Sequence, residues 1–179
     1  MKHFIKKPLY SLIGIVSVLI PAFRCSEEPR EAEHYSIASS DYGILAEKSL
    51  DLMSSLDIDN WGSMMSDSVV YYFPDETQTK LVGKAEVLSW WKNYVSTSGL
   101  KSMTIENASY LPVSLDNNLG TKELPGVQVI AYFSNKMVYR EHTSSIRMNF
   151  VIHFDKEKLI DGYYTYYDRS DIMPEVKHL

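Results

Sequence analysis

The sequence predicts an α+β domain, helices first and antiparallel strands after, and three features carry that reading. Apolar residues recur at helical spacing in two stretches before Gly99. From Met103 onward the chain turns to long runs rich in Val, Ile, Tyr and Thr. Those runs are separated by breaks of Asp, Asn, Pro and Gly or of Lys and Glu. The chain has 179 residues, 45% hydrophobic and 12% aromatic with 13 tyrosines, which is enough for one domain with a real core.

Taken in order, Ser40-Asp41 make an N-cap for a helix running to about Leu56, with Tyr42, Leu45, Ala46, Leu52 and Met53 on its apolar face. Asp57–Asn60 break that helix and cap a short second one through Trp61, Met64 and Met65. Val69–Phe73 is a β-branched and aromatic strand stopped by Pro74. A polar loop to Val82, with room for a short strand, leads to Gly83 and a third helix over Lys84–Thr97. Its stripe is Val87, Leu88, Trp91, Tyr94 and Val95, and Gly99 ends it. Four long strands follow at Met103–Leu115, Val127–Tyr139, Ser145–Phe154 and Leu159–Tyr167. The third alternates most clearly, with Ile146, Met148, Phe150, Ile152 and Phe154 on one face and Arg147, Asn149 and His153 on the other. A sheet with one buried face is expected.

The first 24 residues read as a signal peptide. Met1–Lys7 is basic, Leu9–Ile20 is apolar, and Pro21-Ala22 opens a processing zone. Twelve residues of helix span roughly 18 Å, short of a bilayer core. The only cysteine, Cys25, stands immediately after, where a bacterial lipoprotein is diacylated, although Arg24 departs from the usual small residue before it. Ser26-Glu27-Glu28 resembles the acidic export tag of Bacteroidetes lipoproteins. The expectation is a lipid anchor at Cys25, a tether to residue 40, a domain over 41–173 and a tail over 174–179. The address is then the cell envelope, at the outer membrane or cell surface. The alternative is secretion or a periplasmic address after ordinary cleavage at Ala22.

Charge narrows the partners. The net charge is −5, and the four basic residues before Cys25 leave 14 basic against 23 acidic residues in the remainder. Such a body is a poor phosphate binder, so no nucleic-acid partner is expected. One cysteine forms no internal disulfide and no Cys/His grid exists for zinc, so no metal is expected. No P-loop, dinucleotide glycine fingerprint, G-x-S-x-G or H-E-x-x-H motif occurs, and no cofactor is implied.

Three segments in order carry a family resemblance: Trp61–Pro74 (WGSMMSDSVVYYFP), Gly83–Leu88 (GKAEVL) and Lys158–Arg169 (KLIDGYYTYYDR). Together they resemble the nuclear transport factor 2-like superfamily in its SnoaL-like branch, over roughly Tyr42–Ile172. The resemblance implies a sheet curled into a cone whose concave side, lidded by the helices, forms a pocket. In isomerases of that superfamily an Asp base precedes the proline that ends the first strand, and here that position holds Phe73. The matching helical stretch Glu47–Asp51 also offers no tyrosine for an oxyanion. Asp75, His153 and Asp168 are the residual acid–base candidates of a polyketide-cyclase-like or dehydratase-like lyase or isomerase. Bland readings stand beside them: an exposed or dimer-facing imidazole at His153, and a surface ion pair of Asp168 with Arg169. Tyr71, Phe73, Trp91 and Tyr94 supply an aromatic wall for a small apolar or aromatic ligand, bound without turnover. A structural module using the open sheet face, including a homodimer through it, is the third reading.

Overall fold

A computed structural model describes residues 35–75, 80–116, 125–170 and 172. The signal segment, Cys25, the Glu27–Glu33 tether and the 174–179 tail lie outside the described residues. The elements are β1 (Tyr35–Ile37), α1 (Ser40–Ser54), α2 (Ile58–Ser63), β2 (Met65–Tyr72), β3 (Lys80–Val82), α3 (Lys84–Thr97), β4 (Ser102–Leu115), β5 (Gly126–Val138), β6 (Thr143–Phe154) and β7 (Ile160–Tyr166). They form one curved, open seven-stranded sheet in the order β1-β4-β5-β6-β7-β2-β3. The α+β expectation holds. Among the described residues no helix is long and apolar enough to cross a membrane.

Every neighbouring pair is antiparallel except β2 and β7, which run parallel with Tyr71 beside Tyr163. Nearly the whole domain lies between these two strands, so no hairpin signal could announce their pairing. β2 also starts four residues before the expected Val69, because Met65 pairs with Ile160 and the register then shifts before Val70. The polar Ser66, Asp67 and Ser68 fill that irregular stretch and mask it in the sequence.

The first described strand starts at Tyr35, five residues before the expected helix cap. β1 adds an edge strand to β4, with Tyr35 opposite Leu115 and Ile37 opposite Val113. All three of its residues are exposed, so ladder hydrogen bonds and not burial hold it, and no apolar alternation announces it. Ser39 caps α1 in place of Ser40-Asp41, accepting the Asp41 N–H at 3.3 Å. The helix stops at Ser54 because Leu56 turns left-handed (φ 61°), letting the Asp57 N–H reach the Leu52 carbonyl at 3.0 Å.

The inner face is apolar and the helices pack on it. On β5 the inward residues are Val129, Ala131, Phe133, Asn135 and Met137, and on β6 they are Ile146, Met148, Phe150, Ile152 and Phe154. The expected β6 alternation is therefore observed, with Arg147 exposed and Asn149 half-buried. Trp61 locks α1 to β7 by donating from Nε1 to Ser49 Oγ at 3.1 Å and to the Tyr163 hydroxyl at 2.9 Å. Ser49 and Tyr163 are themselves 2.6 Å apart, so this buried trio satisfies its own polar atoms. On the outer face Tyr132, Asn149 and Tyr166 lie side by side across β5, β6 and β7. The next row carries Leu111, Ile130, Val151, Tyr164 and Tyr72. Leu111, Tyr132 and Tyr166 are 50%, 58% and 59% exposed, so this is an apolar band facing outward.

Candidate functional site

The concave side gathers its aromatic rings from α3 and the sheet. Gly83, at φ 93°, turns the chain from β3 into α3, and its N–H donates to the Val69 carbonyl at 2.8 Å. The helical stripe then buries Val87, Trp91 and Tyr94. Trp90 lies on the shoulder of that stripe, half-buried, stacked on Tyr94 with ring centroids 5.3 Å apart and packed against Phe73 at 4.9 Å. Trp91 meets Trp61 and Tyr71 edge-on, and the Tyr94 hydroxyl shares a 2.5 Å hydrogen bond with that of Tyr139.

Within this cluster a cavity of about 20 Å³ remains, which admits about one water molecule. Its walls include Tyr71, Trp90, Trp91, Tyr94 and Tyr167, together with Met53, Met103, Met137, Met148 and Ile172. Asn135 also faces it. Three buried polar atoms of these walls have no hydrogen-bond partner: the Tyr71 hydroxyl, Trp91 Nε1 and Asn135 Oδ1. Leaving such atoms unpaired costs about 1–3 kcal/mol each, so their occurrence on three residues lining one void is informative. The amide nitrogen of Asn135 reaches only the Met148 sulfur, at 3.9 Å.

The phenols are held neutral. Burial raises Tyr71 well above the ordinary phenol range, with the neighbouring Tyr167 and Tyr163 adding to it. Burial pushes Tyr167 up to about 12, against the opposing pull of Arg169. Burial likewise raises Tyr94. These groups donate and accept hydrogen bonds near neutral pH but supply no ionised base.

Of the sequence-predicted wall, Tyr71, Trp91 and Tyr94 line the chamber. Phe73 does not. It is buried one layer out, against Tyr71 and Trp90, with the Arg169 guanidinium over its ring at 5.1 Å. Asp75 is ion-paired with that guanidinium, so Arg169 bridges to Asp75 and not to the adjacent Asp168. Asp168 points to solvent and accepts the Ser170 N–H at 2.9 Å. Hydrogen bonds from Ser170 hold its carboxyl below the ordinary range.

His153 corrects its expectation of exposure. It lies on the outer face, as alternation requires, yet it is buried. A bulge between His153 and Phe154 brings Asp161 against Nδ1, and the Pro125 carbonyl lies 3.3 Å from Nε2. Gly126 and Gly162 make room: a Cβ on Gly126 would stand 3.0 Å from Nε2, and one on Gly162 3.3 Å from the His153 Cβ. Asp155, two residues on, instead caps its own turn by accepting the Glu157 and Leu159 N–H groups, each at 2.9 Å. An open cleft of about 820 Å³ runs past His153 and Asp161, but both ring nitrogens already face oxygens. None of Asp75, His153 and Asp168 lines the aromatic chamber, and each contacts a different group: Asp75 the Arg169 guanidinium, His153 Asp161, and Asp168 Ser170. Sequence reasoning missed Asn135 and the four methionines as wall residues. The signal available for Asn135 was its place in the Val129–Met137 alternation.

Solved structures share this architecture. A candidate polyketide cyclase from Silicibacter sp. TM1040 aligns over 78% of this chain and 98% of its own, at 13% identity and TM-score 0.58. The fold is nuclear transport factor 2-like. A candidate isomerase from Bacillus subtilis, at 18% identity, covers 78% of this chain and 95% of its own with TM-score 0.57. A nuclear transport factor 2-like protein from Anabaena variabilis ATCC 29413, at 16% identity, covers 74% of this chain and 93% of its own with TM-score 0.53. No protein-family model and no curated protein matches the chain. Identities this low place the nuclear transport factor 2-like scaffold and leave activity to be argued from the site.

Proposed function

We propose that this chain is a cell-envelope lipoprotein whose nuclear transport factor 2-like domain binds a small apolar or aromatic ligand without turning it over. The observation that carries the binding is that one void walled by aromatic rings and methionines is lined by three residues each holding a buried polar atom without a partner. A guest with an apolar body and a hydrogen-bonding group satisfies both kinds of wall. The void as it stands holds about one water. Admission of a larger guest therefore requires the half-buried Trp90 and the unbranched, pliable methionines to move aside.

The absence of turnover rests on chemistry. A proton-abstracting base must reach within about 3 Å of its target, directly or through one water. Phe73 occupies the position where the superfamily resemblance puts that base, Asp75 is neutralised by Arg169, and His153 and Asp168 lie elsewhere. The anchor rests on Cys25 behind its apolar leader, and two acyl chains give stable membrane attachment. The outer apolar band favours a second copy of the chain as partner through the sheet face. The small volume of the chamber favours one competing account, a packed core serving a pure interaction module.

Assays on ketosteroid-like substrates separate enzyme from binder, and no isomerisation is expected. Turnover that collapses in Asp75→Asn, His153→Gln or Asp168→Asn, with the fold intact by circular dichroism, would overturn the binder reading.

A further inference from the structure

We infer, resting on the chamber reading above, that the guest presents a neutral head group able both to donate and to accept a hydrogen bond, and that its aromatic body takes the place of the Trp90 ring. The walls set the head group. Asn135 Oδ1 and Trp91 Nε1 are buried without partners on residues that line the void. The first only accepts and the second only donates, so their complements are one donor and one acceptor. Tyr71, whose hydroxyl is also unpaired, takes either role. Among the described residues, none of those lining the void is charged, and burial holds the wall phenols neutral. An ionic head would lose its water shell there and gain no counter-ion. An alcohol or a primary amide meets these demands, whereas an ether lacks the donor and a carboxylate brings a charge.

Space sets how the body enters. The void admits about one water molecule, so it takes the head and not a ring. Of the residues lining it only Trp90 and Tyr167 are half-buried, and all the others are buried. A path from solvent therefore passes one of these two. Trp90 stands on α3 and packs through ring contacts, on Tyr94 and Phe73 and edge-on to Trp91 at 5.4 Å. Turning its side chain outward needs no movement of the helix, and the contacts it gives up on Tyr94 and Phe73 are ones an aromatic body restores. The exchange is ring for ring, and the head group adds the hydrogen bonds that Trp90 does not make with the void.

Benzyl alcohol, benzyl methyl ether and benzoate, titrated calorimetrically into the full chain and its variants, test this. Benzyl alcohol should bind the wild type about tenfold tighter than either of the others. Asn135→Leu should bring the alcohol down to the level of the ether. If that variant does not fold, the ranking on the wild type decides alone. Trp90→Ala removes the resident ring and should tighten benzyl alcohol by about tenfold. If it does not fold, the wild-type tryptophan emission decides: it should shift to the red on saturation, as Trp90 enters water. Equal binding of alcohol and ether, or preference for benzoate, would overturn the head-group inference while leaving the chamber reading standing. Unchanged or weaker binding in Trp90→Ala, or emission that does not move, would overturn the displacement of Trp90. Failure of all three probes to bind both wild type and Trp90→Ala would overturn the chamber reading and this inference with it.

Discussion

Asp161 lies against Nδ1 of His153, across a bulge that gives β7 one residue more than β6 at that point. The pair ties β7 to β6, and the Pro125 carbonyl at 3.3 Å from Nε2 ties in the start of β5. Removing one partner leaves a buried ring nitrogen unsatisfied. Asp161→Leu should therefore cost about 1–3 kcal/mol in denaturant unfolding. Asp168→Leu, at an exposed carboxylate, should cost much less. Equal costs at the two sites would show that the clasp is not structural.

The two faces of β6 make a second contrast. Phe150 is 2% exposed and packs edge-on against Phe133 with centroids 5.1 Å apart. Phe150→Ala should cost about 3–5 kcal/mol, the transfer and cavity terms together. Arg147→Ala should cost much less. Comparable losses measured by urea denaturation would mean that the outer face is covered, as a dimer through the sheet would cover it.

Periodicity made most of this fold legible. α3 spans Lys84–Thr97 as its stripe predicts, and the four long strands fall within about two residues of their expected bounds. What was hidden is non-local. The parallel β2–β7 pairing joins strands at opposite ends of the domain, and β1 has no buried side chain to give it a pattern. The site divides the same way. Tyr71, Trp91 and Tyr94 were readable because helix and strand periods both aim them inward. Arg169 with Asp75, and His153 with Asp161, were unreadable because each partner is chosen by a turn or bulge and not by spacing.

Alkaline pH should unfold the domain. Burial raises Tyr71, Tyr94, Tyr163 and Tyr167 above the ordinary phenol value of 10.0. The folded state thus binds these protons more tightly than the unfolded state. Their contribution is fully present below about pH 10 and is lost as pH rises toward and beyond the folded values. The denaturation midpoint should hold between about pH 7 and 9 and fall from about pH 10 upward. A buried set of tyrosines should ionise only together with loss of near-ultraviolet circular dichroism. Ionisation of all the tyrosines at the free-phenol pH with the fold retained would contradict the burial.

The anchor is tested on whole cells. Mass spectrometry of the mature protein should show a diacylated N-terminus at Cys25, and Cys25→Ser should move the protein from the detergent phase to the aqueous phase. An unmodified N-terminus at Phe23 would mean ordinary secretion.

The central claim is that the aromatic chamber takes a guest, and calorimetric titration of the wild-type chain with indole tests it most directly. Indole offers an apolar ring and one N–H, which suits the unpaired carbonyl oxygen of Asn135. The account predicts saturable one-to-one binding, weakened by about tenfold or more in Asn135→Leu and unchanged by Tyr132→Ala on the outer face. No binding by the wild type, or binding indifferent to Asn135→Leu, would show that the chamber is packed core.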